Sequence, residues 1–166
     1  MTPRLRHILF LCTGNSARSV IAEALLNHEG RGRFVAHSAG SQPKGAVHPM
    51  AIETLARHGV SAEGARSKSW DEFAAPGAPH LDVIVTVCDS AARETCPVWP
   101  GHPATVHWGI PDPAAVAGPV DDQRRAFETA YQTLAARIRL LVALPDDKLD
   151  ALAAELVRIR DAYPPA

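Results

Sequence analysis

Residues 6–19 read Arg6-His7-Ile8-Leu9-Phe10-Leu11-Cys12-Thr13-Gly14-Asn15-Ser16-Ala17-Arg18-Ser19. The apolar run running into a Gly-containing turn predicts a buried strand over 6–13. From Ser16 the period changes. Val20, Ile21, Ala24 and Leu25 share one helical face, and Gly30 is a natural stop. A strand that ends in a polar loop and passes straight into a helix is the first unit of an α/β fold, and the rest of the chain repeats it. Strands are expected over 33–38, 81–87 and 104–108. Helices are expected over 48–58 (Pro49 near the start, Gly59 after the end), 67–73 and 121–144, and loops over 74–80 and 109–119. Phe127, Tyr131, Leu134, Ile138 and Leu141 give the long helix one apolar face, and Pro145 ends it. A last helix is expected over 146–161, with Leu149, Leu152, Leu156 and Ile159 facing one way. The alternation predicts a single α/β domain: a four-stranded parallel open sheet flanked by helices over 1–145, extended by a C-terminal helical segment over 146–166. Ligands of such sheets sit at the carboxyl ends of the strands, where Cys12, Cys88 and the 109–113 loop all fall.

The bulk composition is that of a soluble globular domain of 166 residues, 46% apolar and 21% charged. A net charge of −1 gives no general reason to expect nucleic acid or an anionic membrane as partner. No apolar run is long enough to span a bilayer, and the four residues Ile8–Leu11 are too few for a signal peptide core, so a cytoplasmic protein is expected. The three cysteines, Cys12, Cys88 and Cys96, are too few and odd in number for a secreted disulfide framework.

The loop Thr13-Gly14-Asn15-Ser16-Ala17-Arg18-Ser19 behind Cys12 has the chemistry of an oxyanion site. Successive backbone N–H groups can turn inward as a nest, and the helix start adds unpaired N–H groups and the positive end of its dipole. Gly14 is expected to supply backbone freedom. Arg18 can fork onto two oxygens of a tetrahedral anion. The same field is expected to lower the pKa of Cys12 and make it a thiolate nucleophile. Asp112, held between Pro111 and Pro113, is the candidate general acid for the leaving oxygen. Asp82 is expected to be structural, and Asp89 to shape the loop after Cys88. Cys88 ends the strand beside Cys12 in this sheet and can reach the same edge. No metal site is expected: the spacing of Cys88, Cys96, His102 and His107 is wider than that of structural zinc sites.

The stretch CTGNSARS after ILFL resembles the phosphate-binding loop of the low-molecular-weight protein-tyrosine phosphatase superfamily, and its arsenate reductase branch in particular. The resemblance extends to SAG (38–40), VHPMAIETLARHGV (47–60), TVCD (86–89), CPVWPG (96–101) and HWGIPDPA (107–114). It implies reduction of arsenate to arsenite by attack of Cys12. It also implies a Cys88/Cys96 disulfide relay emptied by an external thiol system, thioredoxin or glutaredoxin with glutathione, and no bound cofactor. Some relatives hold a potassium ion beside the loop. Asn15, Glu23 and Ser38 match that site, but Lys68 stands where a carboxylate would align, so no required potassium is expected. The alternative is a phosphatase acting through a Cys12 phospho-enzyme. Ala114 and Ala115, where phosphatases of this superfamily carry aromatic residues, speak for a small inorganic anion. An anion sensor without catalysis is a third reading of the same loop.

Overall fold

The computed structural model describes residues 4–88 and 103–164. Four strands, β1 (Arg6–Leu11), β2 (Phe34–Ala39), β3 (Val83–Thr86) and β4 (Ala104–His107), form one parallel sheet in the order β2-β1-β3-β4. Ile8 to Leu11 and Val83 to Thr86 are buried without alternation, as expected for central strands covered on both faces. β4 lies at the edge, with Ala104 and Thr105 exposed. In register, Leu11 pairs with both Ala39 and Thr86, and Thr86 pairs with His107. The carboxyl ends are therefore level. The chain leaves β1 toward β2 on one side and returns to β3 on the other, so the crevice of a topological switch point opens at Cys12.

Helix α1 (Arg18–Glu29) packs on β1, β2 and the long helix α4 (Val120–Val142), and α2 (Pro49–Arg57) packs on α4 and α1. His48 caps α2, its Nδ1 accepting from the Met50 N–H at 3.1 Å. The C-terminal helix α5 (Leu152–Ala162) lies on β4 and α4. It sends Leu152, Leu156 and Ile159 into the same core as the strands. The Trp108 indole N–H donates to the Leu156 carbonyl at 2.8 Å and ties this segment to the end of β4. No helix among the described residues is long and apolar enough to cross a membrane.

The architecture is the one expected, with local differences. β1 stops at Leu11, because Cys12 and Thr13 already turn into the loop, and α1 begins at Arg18, because Ser16 and Ala17 belong to it. The helix expected over 67–73 is reduced to α3 (Asp71–Ala74). Its first residues are used otherwise: Gly40 donates to the Lys68 carbonyl and accepts from the Trp70 N–H, each at 2.9 Å, which prolongs β2 by one bridge. The expected helix over 146–161 is divided into a 3-10 segment (Asp146–Ala151) and α5. Arg33 closes the preceding turn by donating to the Val142 and Leu144 carbonyls at 2.6 and 2.5 Å. Asp82 is structural: it accepts from the His7 N–H at 2.7 Å and pairs with Arg4.

Candidate active site

The loop after β1 is held open by its carbonyls. Those of Thr13, Gly14 and Ser16 accept from the N–H groups of Gln42, Lys44 and His48 at 3.0, 3.0 and 2.8 Å, and the Gly14 carbonyl also accepts from the Ser67 hydroxyl at 3.2 Å. Carbonyls drawn outward favour inward-turned amides, the arrangement of an anion nest, and within the loop the Asn15 N–H donates to the Cys12 carbonyl at 3.3 Å. No side chain among the described residues caps the start of α1, and no acidic residue lies in its first turn. Its positive end is thus left to the crevice. Gly40 is required by packing: a Cβ there would meet the Thr13 and Cys12 carbonyl oxygens at 2.4 and 2.6 Å.

The left-handed residue of the loop is Asn15, with φ +43°, and not Gly14. Asn tolerates this conformation because its short amide can bond locally. Here the fully buried amide reaches both ways. Its Nδ2 donates to Ser19 Oγ at 2.9 Å, and its Oδ1 accepts from the Lys68 N–H at 2.8 Å. Gly14 serves instead to admit the Lys44 stem, whose Cε would lie 3.2 Å from a Cβ at that position.

A cavity of about 420 Å³ opens at this loop, lined by Cys12, Arg18, Cys88, Asp112 and Lys44 among others. Both sulfurs are buried. The Thr13 N–H donates to Cys88 Sγ at 3.4 Å, so the loop's own amide fixes the second sulfur. Cys12 and Cys88 line the same cavity. The neighbouring Cys88 thiol and burial push the Cys12 thiol above its ordinary pKa, against the opposing pull of Arg18 and the Gly14 amide. This corrects the expectation of a lowered pKa. The pull of Arg18 is present, but the neighbouring thiol and burial outweigh it. Cys96, Asp89 and His102 lie outside the described residues.

Arg18 is turned toward the acid loop. Its Nη1 donates to the Ile110 carbonyl at 3.0 Å, and its Nη2 stands 3.6 Å from Asp112 Oδ2. The other Asp112 oxygen accepts from the Ala114 N–H at 2.9 Å and caps the short turn Pro113–Ala115. One carboxylate oxygen is therefore fixed and the other faces the cavity. Ala114 lines the cavity where an aromatic rim would narrow it for a ring.

The family model for low molecular weight phosphotyrosine protein phosphatase matches residues 7–155. The chain belongs to this family. An arsenate reductase of Shouchella clausii is 33% identical over 132 residues, covering 80% of this chain and 91% of that one. Among solved structures, an arsenate reductase in the phosphate binding state superposes with a TM-score of 0.67 at 25% identity, covering 84% of this chain and 98% of the other. A thioredoxin-dependent arsenate reductase of Corynebacterium glutamicum superposes with a TM-score of 0.57 at 26% identity, covering 84% of this chain and 64% of the other.

Against the potassium site of some family members, the residues here do not fit a metal cation. Asn15, Glu23 and Ser38 do converge, but on Lys68. Its Nζ lies 3.4 Å from Ser38 Oγ, 3.1 Å from the Arg66 carbonyl and 3.8 Å from Glu23 Oε2. Burial pushes the Glu23 carboxyl up and the Lys68 ammonium down, each partly opposed by the other's charge. A monovalent cation brought into this cluster would face an ammonium.

Proposed function

We propose that this chain reduces arsenate to arsenite, using Cys12 as nucleophile and Cys88 as the second thiol. The observation that carries the reading is the second buried sulfur, which lines the same cavity as the nucleophile and accepts from the first amide of the oxyanion loop. A phosphatase needs one thiol there. A reductase needs two electrons, which a pair of thiols supplies on forming a disulfide.

The steps balance. Arsenate enters the nest and the fork of Arg18. The Cys12 thiol and HAsO₄²⁻ give a Cys12–S–AsO₃²⁻ adduct and water. The thiol proton ends on the departing oxygen, passed through Asp112, whose second oxygen stands beside Arg18 at the cavity. The Cys88 sulfur then attacks Cys12 sulfur. The S–As bond breaks, its electron pair stays on arsenic, and arsenite leaves with the Cys88 proton as a Cys12–Cys88 disulfide forms. Cys96 exchanges into that disulfide, frees Cys12, and leaves a Cys88–Cys96 disulfide for an external dithiol such as thioredoxin, or for glutaredoxin with glutathione, in a reducing cytoplasm. Lys68 stands in for a metal cation, so no potassium is needed.

Arsenate turnover coupled to thioredoxin and, separately, to glutaredoxin tests this reading with Cys88→Ser and Cys96→Ser beside the parent chain. Loss of turnover in both variants is expected, and full turnover in Cys88→Ser overturns the reading. Hydrolysis of phosphomonoesters that persists in Cys88→Ser is compatible, because the loop chemistry is shared.

A further inference from the structure

A second cavity of about 520 Å³ lies on the other side of the acid loop. One wall is the segment from His107 to Pro111, which carries Asp112. The opposite wall is Arg137 of α4 together with Arg160 and Asp161 of α5. Arg137 is closed off from solvent. Its Nε donates to the Tyr163 carbonyl and its Nη1 to the Trp108 carbonyl, each at 3.0 Å, and its Cζ stands 5.7 Å from the centre of the Trp108 ring. Its Nη2 has no hydrogen-bond partner, and no carboxylate pairs with it among the described residues. Neutral carbonyls satisfy donors, but they do not cancel a buried full charge. Burial and the nearby Arg160 both press against the charged form of Arg137. Arg160, at the rim, donates its Nη1 to the His107 carbonyl at 3.3 Å and its Nε to Asp161 at 3.0 Å, so it is already held over the cavity.

We infer that this cavity is a second oxyanion site, in which a small inorganic anion of the phosphate class serves as counter-ion to Arg137 and is held directly by Arg160. Asp161 is the competing carboxylate, and it lowers the affinity by engaging the same guanidinium. The site is separate from the nest at Cys12 but mechanically joined to it. Ile110, which lines this cavity, accepts from Arg18 through its carbonyl and lies two residues before Asp112. An anion here braces the segment on which both Arg18 and Asp112 depend. Arg160 and Asp161 come from the end of α5, beyond the stretch that the family model matches.

The test is inorganic phosphate titrated into the full chain by calorimetry, with amide shifts of Gly109 and Ile110 followed by NMR. Arg18→Ala silences the catalytic nest. In that background one saturable phosphate event is expected to remain and to shift both amides. Adding Arg160→Gln is expected to weaken it about tenfold or more, since a charge-assisted hydrogen bond is lost. Adding Asp161→Asn instead is expected to tighten it. Absence of any saturable event in Arg18→Ala, or one that neither Arg160→Gln nor Asp161→Asn changes, overturns the inference. Arg160 is partly exposed, so the variant leaves the core intact.

Discussion

Replacing Asn15 with alanine should cost far more than the loss of one loop side chain. Three contributions add. Alanine at φ +43° occupies the left-handed region, at about 1–2 kcal/mol. The Lys68 N–H loses its acceptor in a buried position, at about 1–3 kcal/mol. The bond to Ser19 is lost, at about 1 kcal/mol. The sum is about 3–6 kcal/mol, against a total of about 5–15 kcal/mol for an ordinary domain. With a urea slope of about 2 kcal/mol/M, the unfolding midpoint should fall by about 1.5–3 M. Amide exchange gives a second reading, because the Lys68 N–H should lose its protection selectively. A cost below about 1 kcal/mol, or a Lys68 amide that stays protected, refutes the argument that this side chain ties the loop to the 68–70 segment that prolongs β2.

Cys88→Ala should lower the Cys12 pKa, because the largest cause raising it is removed. Iodoacetamide should then modify Cys12 faster at neutral pH, with its pH profile moved to lower values. Arg18→Ala should move that profile the other way. His37, bonded to His7 at 3.0 Å, has its pKa lowered to about 4 by burial, then by His7 and Lys68. The unfolded chain takes up this proton near pH 6.5. Stability from this group is therefore complete above that pH and is lost as pH falls toward 4. Urea midpoints should show that decline, and His37→Asn should flatten it. Potassium and sodium chloride at equal ionic strength should give the same Tm and the same arsenate turnover. A rise specific to potassium contradicts the reading of Lys68.

The sequence makes the sheet and the loop legible because both rest on local patterns. Ile8–Leu11 and Leu81–Val87 can only be buried strands between turn residues, and the polar stretch from Thr13 to Ser19 has one economical chemistry. The local differences come from tertiary partners. Residues 67–70 have no strong pattern of their own, and Gly40 decides their backbone by pairing with Lys68 and Trp70. The glycine of the loop drew the expectation of special backbone, yet Asn15 bears it, and Asn's tolerance of positive φ was the signal to use. The Cys12 pKa could not be read from residues 12–19, because the thiol that decides it comes from the end of β3, on another strand. Lys68 was legible as a departure from the expected ligand set, whereas Arg137 read only as one more residue of an amphipathic helix.

The central claim is that Cys12 and Cys88 together supply the two electrons. A single-turnover experiment on Cys96→Ser, fully reduced and given one equivalent of arsenate without external thiol, tests it most directly. The account predicts about one arsenite released per chain and a Cys12–Cys88 disulfide on peptide mapping. Arsenite released with both thiols still free, or no arsenite while Cys12 and Cys88 remain reduced, contradicts it.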